Sequence, residues 1–211
     1  MKFLNYDSPL VSFINKVVDH VLLGLLWVLA SLPVITFGAA ETAMLYTTRK
    51  SLRQGEGKAF STYWKCFARE FRQATLLWLI QLVLLALLGV NVFLLFQYEV
   101  PKVLYFVLLP MILFGFCWMQ LWFGYLSNFR DTTKVLLSNT FRMTIGSFPW
   151  VMVLAALAVI AIAGCLVSSL YMPPVLLMIP GIYGMLAEQV LQKAFKKYLP
   201  EEPPAEEEAS V

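Results

Sequence analysis

The stretch TLLWLIQLVLLALLGVNVFLLF, residues 75–96, decides the fold class of this chain. It contains only two strongly polar side chains, Gln81 and Asn91. A helix needs about 20 predominantly apolar residues to cross a hydrocarbon core roughly 30 Å thick. A second run, VLYFVLLPMILFGFCWMQLWFGYL at 103–126, holds only Gln120 as a strongly polar residue. Both runs therefore predict transmembrane helices.

The composition of the whole chain agrees with these two runs. Of its 211 residues, 60% are hydrophobic and only 14% are charged, whereas about a quarter of the residues are charged in typical soluble domains. The three cysteines, Cys66, Cys117 and Cys165, have no paired spacing, so neither a disulfide framework nor a zinc site is indicated. We expect a polytopic membrane protein without a cofactor, a bound metal or a nucleic-acid partner.

Working outward from the two runs, we predict an all-α bundle of about six spans. The segment 13–53 is about twice the length of one crossing, and Pro33 within it removes a helix hydrogen bond. We predict two spans there, joined by a turn at Ser31-Leu32-Pro33; a single kinked span, giving five in total, is the alternative. The predicted spans are about 13–32, 34–53, 74–97, 103–126, 148–170 and 173–192.

The basic residues indicate the orientation of these spans. In the six-span arrangement all Lys and Arg residues except Lys102 face one side. An excess of basic residues in short loops marks the cytoplasmic side, so we expect both termini to be cytoplasmic. Residues 1–199 form the predicted membrane domain. The remaining tail, 200–211, is rich in Pro and Glu and is expected to be disordered.

A basic, aromatic segment at about 58–72 is predicted to form an amphipathic helix at the membrane interface. Aromatic and basic side chains recur there at helical spacing, a pattern that places rings among acyl chains and cations near anionic headgroups. An equally weighted alternative is that the rings pack against the bundle. The residues proposed to contact lipid or a partner are Phe60, Trp64, Lys65, Phe67, Arg69, Phe71 and Arg72.

Residues that carry chemistry are scarce. His20 is the only histidine, and neither a metal-binding HExxH motif nor a nucleophile elbow occurs. The segment Gly55–Lys58 lacks the first glycine and the final Ser or Thr of a phosphate-binding loop. We therefore expect a protein that is not an enzyme.

Glu41 is the most informative polar side chain, because it lies within the second predicted span. A charged carboxylate near mid-bilayer costs about 2.5–3.5 kcal/mol on insertion scales and marks a candidate functional site. We group it with Ser31, Thr36 and Thr42 as a candidate intramembrane polar site. The alternative is a protonated or hydrogen-bonded glutamate near the outer end of the span, helped by Thr36 or Thr42. Glu188, nearer the basic end, is interpreted as structural, as are Gln81, Asn91 and Gln120.

The run LWVLASLPVITFGA at 26–39, continuing to Thr42, Ala43 and Tyr46, resembles the YesL-like family of bacterial membrane proteins. The resemblance extends to Asn5–Leu10 and to the segment around 60–71. It implies a multi-span protein of the bacterial cell membrane, often encoded beside carbohydrate-uptake and polysaccharide-degradation systems, without established activity. Glu41 stands where we expect a small or hydroxylated residue, so the resemblance assigns it no role.

Two functions follow as hypotheses. The first is an accessory or transport component linked to carbohydrate uptake, which docks sugar-transporter subunits or anionic lipid through 58–72; this context comes from the resemblance. The second is a stand-alone small-solute transporter with its site near the broken helix at 31–41, because helices interrupted by Gly or Pro form midplane sites in transporters. A homo-oligomer is compatible with either.

Overall fold

Seven α-helices make up most of the chain in the computed structural model, which describes residues 9–55, 58–97, 102–171 and 178–198. No strand occurs among these residues, so the all-α prediction is confirmed for them. The expected disordered tail, 200–211, lies outside the described residues. The helices are α1 Pro9–Ser31, α2 Phe37–Thr47, α3 Ala59–Gln97, α4 Lys102–Asn128, α5 Thr133–Gly146, α6 Phe148–Tyr171 and α7 Met178–Phe195.

Two helical segments among the described residues are long and apolar enough to cross a membrane. They are Ala59–Asn91, within α3, and Phe148–Ser168, within α6. A shorter apolar helix covers Val18–Ser31. Length and composition thus agree with a membrane protein, while the six crossings and their orientation remain predictions.

The chain breaks between α1 and α2 where Pro33 predicted a turn. A 3-10 turn, Val34–Thr36, leads into α2. The end of a helix leaves carbonyls without partners, and the Thr36 hydroxyl donates hydrogen bonds to two carbonyls here, to Ala30 O at 2.5 Å and to Pro33 O at 2.7 Å. The indole nitrogen of Trp78, on α3, donates to Val34 O at 2.6 Å. Side chains from the break itself and from α3 therefore provide hydrogen-bond donors to the backbone carbonyls at the break.

Helix α2 lies at the centre of the molecule. Its residues from Gly38 to Leu45 are all buried, because it packs against α1, α3, α4 and α7. A side chain at Gly38 would place its Cβ 2.5 Å from the carbonyl oxygen of Ala74 on α3. The absence of a side chain at Gly38 therefore lets α2 and α3 approach each other closely. A π-helical stretch, Thr48–Arg53, continues the chain beyond α2.

The predicted boundary between an interfacial helix and the third span is wrong, because both lie in helix α3. The sequence predicted an interfacial helix at 58–72 and a separate span at 74–97, but residues Ala59–Gln97 form one continuous helix of 39 residues. The junction Gln73-Ala74-Thr75 contains neither proline nor glycine, so nothing interrupts the hydrogen bonds there.

The connection between the fourth and fifth predicted spans is largely helical. Most of it forms α5, whose buried residues Leu136, Thr140, Met143 and Thr144 recur at helical spacing. Ser147 ends this helix with a non-helical conformation, and Pro149 occupies the first turn of α6. An amphipathic helix and an apolar helix are therefore separated here, whereas they are fused in α3.

The apolar core has two parts. One is centred on Trp122, Tyr125 and Leu126 of α4, packed against α5, α6 and α7. The other joins α1 and α2 to the beginning of α3, around Leu23, Met44 and Tyr63. Tyr183 of α7 contacts both parts.

Candidate functional site

Glu41 is buried, with 6% of its surface exposed, and is held by two donors from two other helices. The indole nitrogen of Trp27, on α1, donates a hydrogen bond of 2.9 Å to Oε2 of Glu41. The hydroxyl of Tyr183, on α7, donates a second hydrogen bond to the same carboxylate. The break at Pro33 makes this possible because it folds α2 back beside α1. Glu41 is therefore positioned by three helices.

The other members of the predicted polar site have no side-chain hydrogen bond to Glu41 among the described residues. The hydroxyl of Thr42 donates to Gly38 O at 2.9 Å within its own helix. Thr36 caps the helix break, as described above, and the Ser31 Oγ is buried without a hydrogen bond among the described residues. The expectation that Thr36 or Thr42 would satisfy Glu41 is wrong, because both hydroxyls bond to backbone carbonyls.

Glu41 lies in the wall of a cavity of about 440 Å³. The wall is mostly apolar and is built from α1, α2, α3, α4, α6 and α7. Its polar side chains besides Glu41 include Gln81 on α3, Gln120 on α4 and Tyr183. The remaining lining residues are Trp27, Phe37, Trp78, Leu85, Phe116, Phe123, Ala158, Ala161, Ile162, Cys165, Leu166, Ile179 and Pro180.

Gln81 and Gln120 belong to this site, although the sequence analysis interpreted them as packing residues. Gln81 is 5% exposed, and its carbonyl oxygen Oε1 is buried without a hydrogen-bond partner among the described residues. Buried polar atoms in folded proteins are normally paired. The available signal was the presence of single amides in otherwise apolar runs, but spacing alone could not show that they lie in the same cavity as Glu41.

Aromatic rings form a continuous row along one side of the cavity. The centroids of Trp27 and Phe37 are 5.5 Å apart, those of Phe37 and Trp78 are 4.6 Å apart, and those of Trp78 and Phe123 are 6.5 Å apart. Such separations are typical of attractive ring contacts. The row presents aromatic surface next to the carboxylate.

The basic, aromatic surface of α3 divides into two faces. Phe60, Trp64, Lys65, Phe71 and Arg72 are exposed, as required of residues that contact lipid or a partner. Phe67 is half-buried and packs on both core clusters. Arg69 forms an ion pair of 2.5 Å with Glu70 and lies over the ring of Tyr46. The exposed side chains are thus compatible with contact to lipid or a partner, which stays a prediction, while the ring of Phe67 packs on the core.

Glu188 lies in a different polar cluster, near the beginning of the π-helical stretch. The sequence suggests Lys193 or a loop arginine as the partner of Glu188. In the structure Gln192 donates a hydrogen bond of 2.6 Å to Oε1 of Glu188. Arg49 and Arg53 lie close enough to act on its charge. Arg49 also donates to the side chain of Asn128 and to the carbonyl oxygen of Ser127.

Comparisons with known proteins add one finding. Residues 20–92 are similar to a family whose description reads "Protein of unknown function, DUF624". The matched segment is less than half of the chain and contains Trp27, Glu41, Trp78 and Gln81. No curated protein and no solved structure matches the chain.

Proposed function

We propose that the chain is a multi-span membrane protein that binds a small solute in the cavity beside the broken helix and moves it across the membrane. The observation that carries the proposal is the convergence of Glu41, Gln81 and Gln120 on one cavity of about 440 Å³. Small-molecule sites are typically clefts of about 300–1,000 Å³ with apolar walls and a few polar groups.

The position of the cavity supports transport. Lining residues Trp78, Gln81 and Leu85 belong to one segment that could cross a membrane, and Ala158, Ile162 and Leu166 belong to the other. Solute sites in many transporters lie at mid-membrane beside discontinuous helices. The break at Pro33, just before α2, supplies the discontinuity.

The proposal includes a location in the bacterial plasma membrane with both termini in the cytoplasm. The YesL-like resemblance supports the bacterial membrane, and the distribution of basic residues supports the orientation. The proposal also includes the absence of an enzymatic activity, since the sequence offers no nucleophile with an adjacent base.

Cys165 provides a direct test, because it is a half-buried cysteine in the cavity wall, while Cys66 and Cys117 are buried elsewhere. The protein carrying Cys66→Ser and Cys117→Ser would be placed in right-side-out and inside-out vesicles. Each preparation would receive membrane-impermeant methanethiosulfonates, one with a trimethylammonium group and one with a sulfonate group. We expect at least one reagent to modify Cys165 from both sides, because a transporter opens its site to each side in turn.

Further replacement of Cys165 by serine provides the background. Modification from one side only would indicate a protein that binds a solute without transporting it. No modification from either side would indicate that the cavity is closed to water on both sides. Both results would contradict the proposal.

A second candidate function is an accessory component in carbohydrate uptake. It is favoured by the exposed rings of Phe60, Trp64 and Phe71, which are 55%, 40% and 37% exposed, next to exposed Lys65 and Arg72. Purification from native membranes in mild detergent, followed by mass spectrometry, tests it. Stoichiometric sugar-transporter permease or ATPase subunits would support this candidate, whereas recovery alone or as a homo-oligomer would favour the transporter.

A further inference from the structure

The cavity wall presents two hydrogen-bond acceptors that a ligand could use, the carboxylate of Glu41 and the side-chain carbonyl of Gln81. Glu41 presents a carboxylate whose neighbouring donors, Trp27 and Tyr183, are both neutral. Gln81 adds a buried carbonyl oxygen that has no partner within the part of the chain that the structure describes. A ligand that satisfies these atoms must itself carry N–H or O–H donors.

The charges of the residues that line the cavity also favour a ligand that carries hydrogen-bond donors. None of the described residues that line the cavity is Lys, Arg or His. A buried carboxylate is stabilised by a nearby cation and by hydrogen bonds, and here only the hydrogen bonds are present. The same carboxylate repels an anionic solute. A positive group on the ligand would therefore complete the site.

The remainder of the wall is suited to an apolar body with a cationic end. The row of Trp27, Phe37, Trp78 and Phe123 offers ring faces, which attract cations as well as apolar groups. A sugar presents hydroxyls over its whole surface, and most of them would remain unpaired against this wall, at a cost for each one. An amphiphilic ligand leaves few groups unpaired.

The edge of the cavity provides a route for such a molecule. Ile162 and Leu166 of α6 line the cavity and are 57% and 64% exposed. They lie on one of the two segments that could cross a membrane, while half-buried Leu85 lies on the other. The outer side of both segments would face acyl chains, where amphiphilic amines accumulate.

We infer that the cavity binds an amphiphilic organic cation, a primary or secondary ammonium whose N–H groups bind Glu41 and Gln81 and whose apolar body packs on the aromatic row. This inference rests on the proposed function and specifies its substrate class. It assigns Glu41 the recognition of charge and Gln81 the recognition of an N–H donor.

Three probes with one fluorophore test the inference. Dansylcadaverine carries a primary ammonium, its N-acetyl derivative is neutral, and dansyl-6-aminohexanoate carries a carboxylate. Their fluorescence would be titrated with the full-length protein in nanodiscs, using empty nanodiscs as background. We expect dansylcadaverine to bind at least 10-fold more tightly than either analogue, and Glu41→Gln to remove most of this preference. Glutamine keeps an acceptor for Trp27 and Tyr183, so the variant is expected to fold.

Glu188→Gln is the matched control, since it removes a second buried carboxylate that does not line the cavity; all three affinities should change by less than about 2-fold. If the three probes bind equally tightly and Cys165 is modified from both sides of the membrane, the cationic substrate class is wrong, but the proposed transport function still holds. Cys165 closed to both sides would contradict the proposed function itself. A preference for the ammonium that survives in Glu41→Gln would also overturn the inference.

Discussion

Two buried glutamates, Glu41 and Glu188, have opposite surroundings. Glu188 is fully buried, accepts a hydrogen bond from Gln192 at Oε1, has no hydrogen-bond partner at Oε2 among the described residues, and lies near the charges of Arg49 and Arg53. Glu41 is nearly as buried, but its donors are neutral and it faces a cavity. A carboxylate whose compensating cations belong to the protein stabilises the fold. A carboxylate without such cations is available to a cationic ligand. The groups around a buried carboxylate therefore indicate its role better than the extent of its burial does.

The largest effect is expected from Arg49→Ala, which would break the Glu188 cluster. The change removes the donors to Asn128 and to the Ser127 carbonyl, and it leaves Glu188 with less positive charge nearby. We expect the free energy of unfolding, measured by SDS titration in mixed micelles, to fall by about 3 kcal/mol. Arg49→Lys keeps the charge but not the forked geometry and should lose roughly half as much.

Dansylcadaverine affinity should change by less than about 2-fold in Arg49→Ala if the protein remains folded. A large loss of affinity in the folded variant would show that the two glutamates act as one system, and the comparison drawn above would then be wrong.

An intermediate effect is expected from Gly38→Ala, which acts on the cavity through packing. The new Cβ would lie 2.5 Å from Ala74 O and 2.8 Å from atoms of both Trp78 and Phe123. We expect a loss of about 1–3 kcal/mol in unfolding free energy, together with weaker probe binding, because Trp78 and Phe123 line the cavity.

Gly89→Ala is the matched control for that substitution, since nothing lies within 4 Å of a Cβ at Gly89. Stability there should be unchanged or higher by up to about 1 kcal/mol. Equal losses at Gly38 and Gly89 would contradict the close approach of α2 and α3.

The smallest effect on stability is expected from Gln81→Leu. The informative result is whether the free energy of unfolding rises or falls. Replacing a buried carbonyl that has no partner by an apolar side chain should raise the unfolding free energy by about 1 kcal/mol. The same change should weaken dansylcadaverine binding, because it removes an acceptor from the cavity.

Asn91→Leu is the control for Gln81→Leu, because Asn91 is exposed and donates to Leu87 O of its own helix. It should leave both stability and binding unchanged within about 0.5 kcal/mol. Lower stability in Gln81→Leu would mean that Gln81 is a packing residue, as its sequence context first indicated.

The helical class and the break at Pro33 could be read from the sequence because they depend on local properties, namely run length and a missing backbone N–H. The fusion of two predicted elements in α3 was missed because the amphipathic pattern changes at Gln73, while the backbone continues through it.

The candidate site could be predicted only in part. Glu41 stood out because carboxylates are rare in apolar spans. Its partners did not, since Trp27, Gln81, Gln120 and Tyr183 lie on four different helices, and their convergence depends on how those helices pack. Thr36 and Thr42 were nearer in sequence, but their hydroxyls bond to backbone carbonyls.

The continuous helix α3 has a mechanical consequence. At 1.5 Å per residue its 39 residues extend roughly 58 Å, nearly twice the thickness of a hydrocarbon core. One end carries the exposed rings of Phe60 and Trp64, and the middle carries Trp78 and Gln81 in the cavity wall. A rod without a hinge transmits tilt and rotation along its whole length, so any displacement of the middle of α3 also moves the exposed rings at its end.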